Sequence, residues 1–362
     1  MTKNYILIIW GSAKKYTNDI EKKINKRFQI YKSFNLGWSQ DLFNNNLARF
    51  YYQNRINAKL KEVECSKSNF LVYVIHDNNP KFKTITLRSI KTLVNINIFN
   101  LKQELRNLTG GGHKIHASNN DEEFKKDYHL LGLQNLKDKK TYLHQNINGA
   151  VSWRSLEEAL SFLNNHMHYV ILRNYEHLNN IGNEDIDILV YNKEKASLLL
   201  NAKKISRFKF KSNYSINICN KIFRIDIRDV DDKYYCKDWC CNVLSTRIKY
   251  GKYFVPDKLN YDHLLTYHVY IHKYSIPEKY IKLFRNNNNK WLDLKDFMKL
   301  NNYNFVEPID LSVAFNINSE VKKVTLKRKT YNLIRTVKNI FNNLLPHNFI
   351  VFIKKINAKI FT

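Results

Sequence analysis

The chain is short of most features that would mark an exported or membrane-spanning protein. It has five cysteines in 362 residues, an odd number that argues against a disulfide framework and fits a reducing compartment. Cys236, Cys240 and Cys241 cluster without a second pair at zinc-site spacing, so they read as buried thiols. No run approaches the roughly 20 apolar residues of a spanning helix. A signal peptide is not expected either, because the apolar stretch at 5–10 is strand-length and Lys14 and Lys15 follow it closely. The expected location is cytoplasmic. Internal repeats, arginine-rich arms and RNP-like motifs are missing. Acids are scarce: 32 Asp and Glu stand against 60 Lys and Arg, a formal charge of +28. A field of that sign concentrates nucleotides, nucleic acid, anionic lipid or phosphorylated glycans. Without a nucleic-acid motif, nucleic acid is the less favoured of these partners.

Hydrophobic content of 44% and aromatic content of 14% describe real cores, and the length suits two domains. Residues 5–10 and 70–75 read as buried strands. Residues 17–28 and 40–61 read as helices, and Gly110 to Gly112 as a tight turn. The polar stretch 136–150 reads as an interdomain linker. A second α/β domain is expected over 151–255, with a helix at 155–165, strands at 169–173, 185–191 and 221–228, and helical text at 198–202. A helical subdomain follows over 256–320, with helices at 261–274, 278–284 and 292–300. In the tail, 321–362, Leu333, Val337, Ile340, Phe341 and Leu344 form one stripe, with Lys327, Arg328, Lys329, Arg335 and Lys338 around it. Such a helix either lies on an anionic membrane, peripheral at its inner face, or packs on the protein's own helices.

Residues 110–127 carry the densest chemistry. His116 ends a short alternating segment, and Asn120 with Glu123 forms a capping box that opens a helix. An imidazole is thereby set beside a helix N-terminus, where backbone N–H groups favour phosphate. Glu123 and Asp127 share a helix face, and either is placed to orient the ring. The segment His113-Lys-Ile-His116-Ala117-Ser118-Asn119-Asn120 resembles the active-site signature of nucleoside diphosphate kinases, Asn-x-x-His-Gly-Ser-Asp-Ser. Glu122 and Asp127 fall where that family carries acids, and Arg88 and Asn95 keep the spacing of its Arg…Thr-Asn pair. The resemblance covers about residues 4–135. It implies a ferredoxin-like domain over 1–135 with His116 as the catalytic histidine. It also implies Arg88, Asn95, Lys102, Arg106, His113 and Ser118 as the nucleotide and phosphate contacts. Trp10 stands where the family has a phosphate-binding lysine, Ala117 replaces glycine and His113 replaces asparagine. These departures bear on the phosphohistidine chemistry more than on the fold.

The second signal is Glu184-Asp185-Ile186-Asp187-Ile188-Leu189-Val190. Strand alternation puts Asp185 and Asp187 on one face. Adjacent carboxylates repel unless a cation bridges them, which points to Mg²⁺ or Mn²⁺. Asp226, centred in another strand, supplies a third acid, and three carboxylates can hold two metals around a reacting phosphoryl group. A glycosyltransferase Asp-x-Asp is the competing reading. Residues 165–232 look like the nucleotidyltransferase superfamily, which implies Asp185, Asp187 and Asp226 as catalytic metal ligands. Tyr169-Val-Ile-Leu-Arg173-Asn174-Tyr-Glu176 stands where that family has Gly-Ser, with Arg173 and Asn174 as substitutes at the phosphates. His268 and His272 lie four apart on one helix, suited to phosphate contact or packing, and Lys273 is a phosphate candidate. The domain order is similar to proteins of surface-glycan gene clusters.

The expected protein is thus a Mg²⁺-dependent nucleotidyl- or phosphotransferase. It would use a nucleoside triphosphate and act on a phosphorylated small-molecule or glycan-linked hydroxyl. The alternatives are a catalytically degenerate nucleotide-binding scaffold and a toxin-like nucleotidyltransferase that modifies RNA or protein.

Overall fold

The computed structural model describes residues 3–52, 58–87, 90–136, 139–180, 185–206, 211–273, 276–284, 289–315, 328–331 and 333. The chain is mixed α/β and divides into two compact units, Met1–Trp153 and Arg154–Thr362. No helix among the described residues is long and apolar enough to cross a membrane.

In the first unit, strands β1 (Lys3–Ile9), β2 (Gln29–Gly37), β3 (Phe70–Asp77), β6 (Ile115–Ala117) and β7 (Lys139–His144) form a sheet in the order β6-β1-β3-β2-β7. A hairpin, β4 (Phe82–Leu87) and β5 (Ile90–Asn95), lies outside it. The helices are α1 (Thr17–Asn25), α2 (Phe43–Phe50), α3 (Ala58–Cys65), α4 (Ile96–Leu108) and α5 (Asp121–Leu130). β1 is buried on both faces because apolar residues fill both of its alternating sets. Tyr5, Leu7 and Ile9 pack on Ile20 and Ile24 of α1 and on Ile98, Leu101 and Leu105 of α4. Beyond β1, Trp10 joins an aromatic cluster, with ring centroids 4.7 Å from Phe70, 5.5 Å from Trp38 and 6.0 Å from Phe50.

The stretch expected as a linker behaves otherwise. β7 pairs parallel with β2, and the residues after it are stitched into the unit. Gln145 N donates to Gly37 O at 2.9 Å, and Asn46 Nδ2 donates to Asn146 Oδ1 at 2.8 Å. The buried Arg49 donates to Ile147 O at 3.4 Å and Asn148 O at 2.5 Å. A polar segment scores as a linker on composition, but here its polarity serves buried partners. The helix expected over 40–61 is two helices, α2 and α3.

In the second unit, β8 (Tyr169–Ile171), β9 (Ile186–Val190), β10 (Lys203–Lys204), β11 (Asn213–Ile218) and β12 (Lys221–Asp229) form a sheet in the order β10-β11-β12-β9-β8. Among the described residues of this sheet β9 and β12 pair in parallel and the other neighbours antiparallel. Helices α6 (Leu156–Asn164), α7 (Lys193–Leu199) and α8 (Lys237–Ser245) precede and follow its strands, and β13 (Ile248–Tyr250) and β14 (Tyr253–Val255) form a hairpin. The C-terminal helices are α9 (Lys258–Tyr270), α10 (Ile281–Phe284) and α11 (Asn289–Leu300). They were expected as a subdomain of their own, but α9 and α11 enter the sheet's core. Leu264, Tyr267, Leu294 and Met298 pack with Val170, Leu189, Tyr235 and Trp239. Trp239 Nε1 donates to Asn260 Oδ1 at 2.8 Å, tying α8 to α9.

Most of the basic tail lies outside the described residues. Arg328, expected on its charged face, is buried, with Nε donating to Glu307 Oε1 at 2.8 Å and Nη1 to Val313 O at 2.7 Å. It is therefore not a lipid contact.

A fragment ending at 153 should unfold cooperatively, whereas one ending at 136 leaves Arg49 and Asn46 buried without these partners. The shorter fragment should lose on the order of 3 kcal/mol or more in urea unfolding followed by circular dichroism. Equal midpoints for the two fragments would make residues 139–148 dispensable.

Candidate functional site

The first unit builds its site around His116. Gly110, Gly111 and Gly112 all take left-handed φ, between 75° and 81°, which lets the chain turn from α4 into β6. His116 then lies opposite Ile8 of β1. Asn120 caps α5, its Oδ1 accepting from Glu123 N at 2.9 Å. This start places Asp127 beside the ring, with Asp127 Oδ2 2.7 Å from His116 Nε2. Burial raises the Asp127 pKa, and His116 works against that rise. Phe50 and Tyr51 meet the imidazole edge-on at 5.1 and 5.6 Å. Among the described residues none hydrogen-bonds to its Nδ1.

Of the two acids expected to orient the ring, Asp127 does so. Glu123 turns back instead, accepting from Asn119 N at 2.7 Å and Asn119 Nδ2 at 2.9 Å, which completes the cap. The expected nucleotide contacts scatter. Asn95 is buried as the cap of α4, accepting from Asn97 N at 3.0 Å and donating to Asp77 Oδ2 at 2.8 Å. Ser118 is buried against β1, accepting from Ile6 N at 2.9 Å. Lys102 points inward to Asn119 Oδ1 and to Ala117 O at 3.3 Å, and burial, with Arg106 adding to it, lowers its ammonium to about 8. Arg106 donates from Nε to Ile115 O at 3.2 Å and keeps some exposure. His113 is anchored by its backbone N–H to Glu64 Oε2 at 3.0 Å. Arg88 lies outside the described residues. Asn95, Ser118 and Lys102 therefore hold the scaffold in place of a ligand. A short polar side chain next to a turn satisfies backbone groups as readily as phosphates. Trp10, which stands where the resembled family has a phosphate-binding lysine, is buried and donates from Nε1 to Tyr51 Oη at 3.2 Å.

The second unit gathers its candidates more closely. Asp187 of β9 sits in register with Asp226 of β12, and Asp185 lies one residue before β9, exposed. The chain leaving β8 crosses near them: Leu172 N donates to Asp187 O at 2.9 Å, and Asn174 takes left-handed φ at 58°. Between these two, Arg173 Nη2 meets Asp187 Oδ2 at 2.8 Å, both side chains about one-tenth exposed. Burial works against the Arg173 guanidinium, and Asp187 and nearby tyrosines outweigh it, so its pKa lies above the usual value. Asp226 accepts from Asn213 Nδ2 at 2.7 Å and Arg228 Nη2 at 3.1 Å. Arg228 Nη1 continues to Asp310 Oδ2 at 3.1 Å, and its guanidinium lies 4.3 Å above the Tyr234 ring. Burial raises the Asp226 carboxyl, with Arg228 opposing and Asp187 and Asp185 adding to it.

Two cavities of about 300 Å³ each open here and share Arg173, His268 and Lys273 as walls. Asn174, Asp185, Asp187, Pro277 and Tyr280 complete the first. Asp226, Arg228, Tyr234, His272 and residues 312–314 complete the second. Asp185, Asp187, Arg173, Asn174 and Lys273 thus line one cavity, and Asp226 lines the adjoining one. Arg228 and Asp310 were missed. Arg228 was open to sequence reasoning, because it follows Asp226 by two on one strand face. Asp310 had no local signal.

The carboxylates do not form the expected metal triad. Mg²⁺ wants several oxygens converging on one point. Among the described residues no group of three or more His, Cys, Asp or Glu side chains can hold an ion. Arg173 and Arg228 supply the positive charge that Asp187 and Asp226 were expected to take from metal.

Two outcomes test these electrostatics. Arg173→Met leaves Asp187 buried without its cation and should cost about 3–5 kcal/mol in denaturant unfolding, most of it regained in Arg173→Met/Asp187→Leu; strictly additive losses would show that the pair is not coupled. Asp232 is buried, accepts from Tyr234 N at 2.8 Å, and has a second oxygen without a partner. Burial, opposed by Arg228, raises it to about 6. A raised carboxyl favours folding while protonated, and that contribution is lost as pH climbs through 6. Asp232→Asn should therefore raise the melting temperature more at pH 8 than at pH 5, by roughly 1–1.5 kcal/mol in equivalent stability. A gain independent of pH would rule out the titration.

No protein-family model and no curated protein matches the chain. Among solved structures it is similar to the nucleoside diphosphate kinase of Aquifex aeolicus, at 16% identity, covering 35% of this chain and 93% of that one with a TM-score of 0.25. The likeness is weak, and at that score it carries nothing about function.

Proposed function

We propose that the second unit binds a nucleoside triphosphate and passes a nucleotidyl or phosphoryl group from it to a hydroxyl of a small or glycan-linked acceptor. The observation that carries this is the cavity where Asp185 and Asp187 meet Arg173, Asn174 and Lys273. Guanidinium and ammonium groups suit phosphate oxygens. A carboxylate open to the same space suits the proton of an attacking hydroxyl. The nucleotidyltransferase reading draws on Asp187 and Asp226 in register on parallel strands. A surface-glycan setting and a cytoplasmic location belong to the same proposal.

The first unit's strand order β6-β1-β3-β2, with α1 and α4 as crossovers, supports a ferredoxin-like, nucleoside diphosphate kinase-like reading. In it His116 handles phosphate. A hydrogen bond from Nε2–H to Asp127 sets the tautomer and leaves the Nδ1 lone pair to attack phosphorus, forming the N–P bond as the nucleoside diphosphate leaves. A second reading, a nucleotide-binding protein without turnover, is favoured by the arginine pairs that already neutralise Asp187 and Asp226.

Incubating the full chain with α- and γ-labelled nucleoside triphosphates and Mg²⁺ tests both. Label should move to a small acceptor, and Asp185→Ala, exposed and so tolerated by the fold, should slow transfer about 100-fold. An acid-labile label on the protein should vanish in His116→Asn. Unchanged turnover in both Asp185→Ala and Asp187→Asn would sink the transferase reading. Saturable nucleotide binding without any product would establish the second.

A further inference from the structure

Three residues that wall the second of the two cavities carry buried polar atoms without partners among the described residues. Among the described residues, Arg173 Nη1, Arg228 Nε and both ring nitrogens of His272 find no hydrogen-bond partner. All three residues wall the space of about 300 Å³ that Asp226, Tyr234 and Ser312 also bound. Arg228 is 4% exposed and His272 2% exposed, so bulk solvent does not satisfy them. An unpaired buried donor costs about 1–3 kcal/mol, and several around one space mark the place of something bound.

The chemistry of these atoms describes the missing partner. Guanidinium nitrogens only donate, so the partner presents acceptor oxygens to Arg173 and Arg228 together. Burial, reinforced by Arg173 and Arg228, holds the His272 pKa well below the usual imidazole range. A neutral ring donates from one nitrogen and accepts at the other, so the partner also carries a hydrogen. A carboxylate has only two oxygens to share among three residues and no hydrogen to return. A singly protonated phosphomonoester is a monoanion with three terminal oxygens, one of them an O–H. Its single charge also suits a wall that mixes Arg173, Arg228 and Lys273 with Asp226.

We propose that this cavity is a phosphomonoester site, in which Arg173, Arg228 and His272 hold the phosphate of the acceptor while the nucleotide occupies the neighbouring cavity beside Asp187. Assigning the phosphate to the acceptor rests on the transferase reading; binding of a phosphate there does not. The walls shared by the two cavities, Arg173, His268 and Lys273, place the two ligands side by side.

The test uses the full chain and inorganic phosphate. Phosphate should raise the melting temperature saturably, while chloride at equal ionic strength and acetate should not. His272→Phe keeps the ring packed on Tyr234, whose centroid is 4.0 Å away, and removes both unpaired nitrogens. It should raise the melting temperature of the ligand-free protein yet weaken phosphate binding about tenfold by calorimetry. Arg228→Lys keeps the charge, loses Nε, and should weaken binding to a similar degree. No phosphate effect beyond that of chloride, or unaltered phosphate affinity in both variants, would overturn the site. A hexose phosphate should bind together with a nucleoside triphosphate; strict competition between them would overturn the acceptor assignment. Phosphate binding without group transfer would defeat only the transferase reading, and transfer without phosphate binding only this one.

Discussion

A carboxylate buried on a central strand is tolerable only when a cation meets it, and Arg173 meets Asp187 at 2.8 Å. That contact fixes the chain leaving β8, because Arg173 lies between Leu172, bonded to the Asp187 carbonyl, and Asn174 in its left-handed turn. Arg173 Nη2 also lies 3.4 Å from Tyr234 Oη, and Tyr234 Oη lies 3.1 Å from His268 Nδ1. The sheet, the α8 approach and α9 are thus linked through one ion pair, and both cavities of the second unit have Arg173 as a wall.

Arg228 repeats the device one strand over. It spans Asp226 of its own strand and Asp310, 82 residues later in the chain, while stacking on Tyr234. Two arginines among three acids leave the region close to neutral but rich in directed donors. Guanidinium groups held in this way present fixed donor geometry, which is what the proposed phosphate site draws on. The overall charge of +28 is less specific, since a field of that sign concentrates anions without choosing among them.

In the first unit a histidine–carboxylate pair is set in largely aromatic surroundings. The Asp127–His116 contact follows from the cap at Asn120, which sets where α5 begins and so which turn faces β6. Around it, Trp10, Phe50 and Tyr51 pack as an aromatic cluster, and Lys102 is turned inward. Burial that lowers Lys102 to about 8 expresses the same fact: its ammonium is surrounded by protein.

Local patterns were legible wherever a residue's role is decided by its near neighbours in sequence. The apolar runs of β1 and β3, the Asn120 cap and the placing of Asp187 within a strand follow from side-chain period and short-range hydrogen bonding. Residues 136–150 misled because polarity alone does not separate a solvated linker from a segment that satisfies the buried Arg49 and Asn46. Asn95 and Ser118 misled because amides and hydroxyls near turns serve backbone and ligand equally well. The sequence by itself determined the periodicity, the caps, the charge and which strands carry acids. Tertiary structure decided which cation each buried acid would meet, since Arg173 with Asp187 and Arg228 with Asp310 are pairings made by strand order and chain return, and local sequence does not encode distance across a fold.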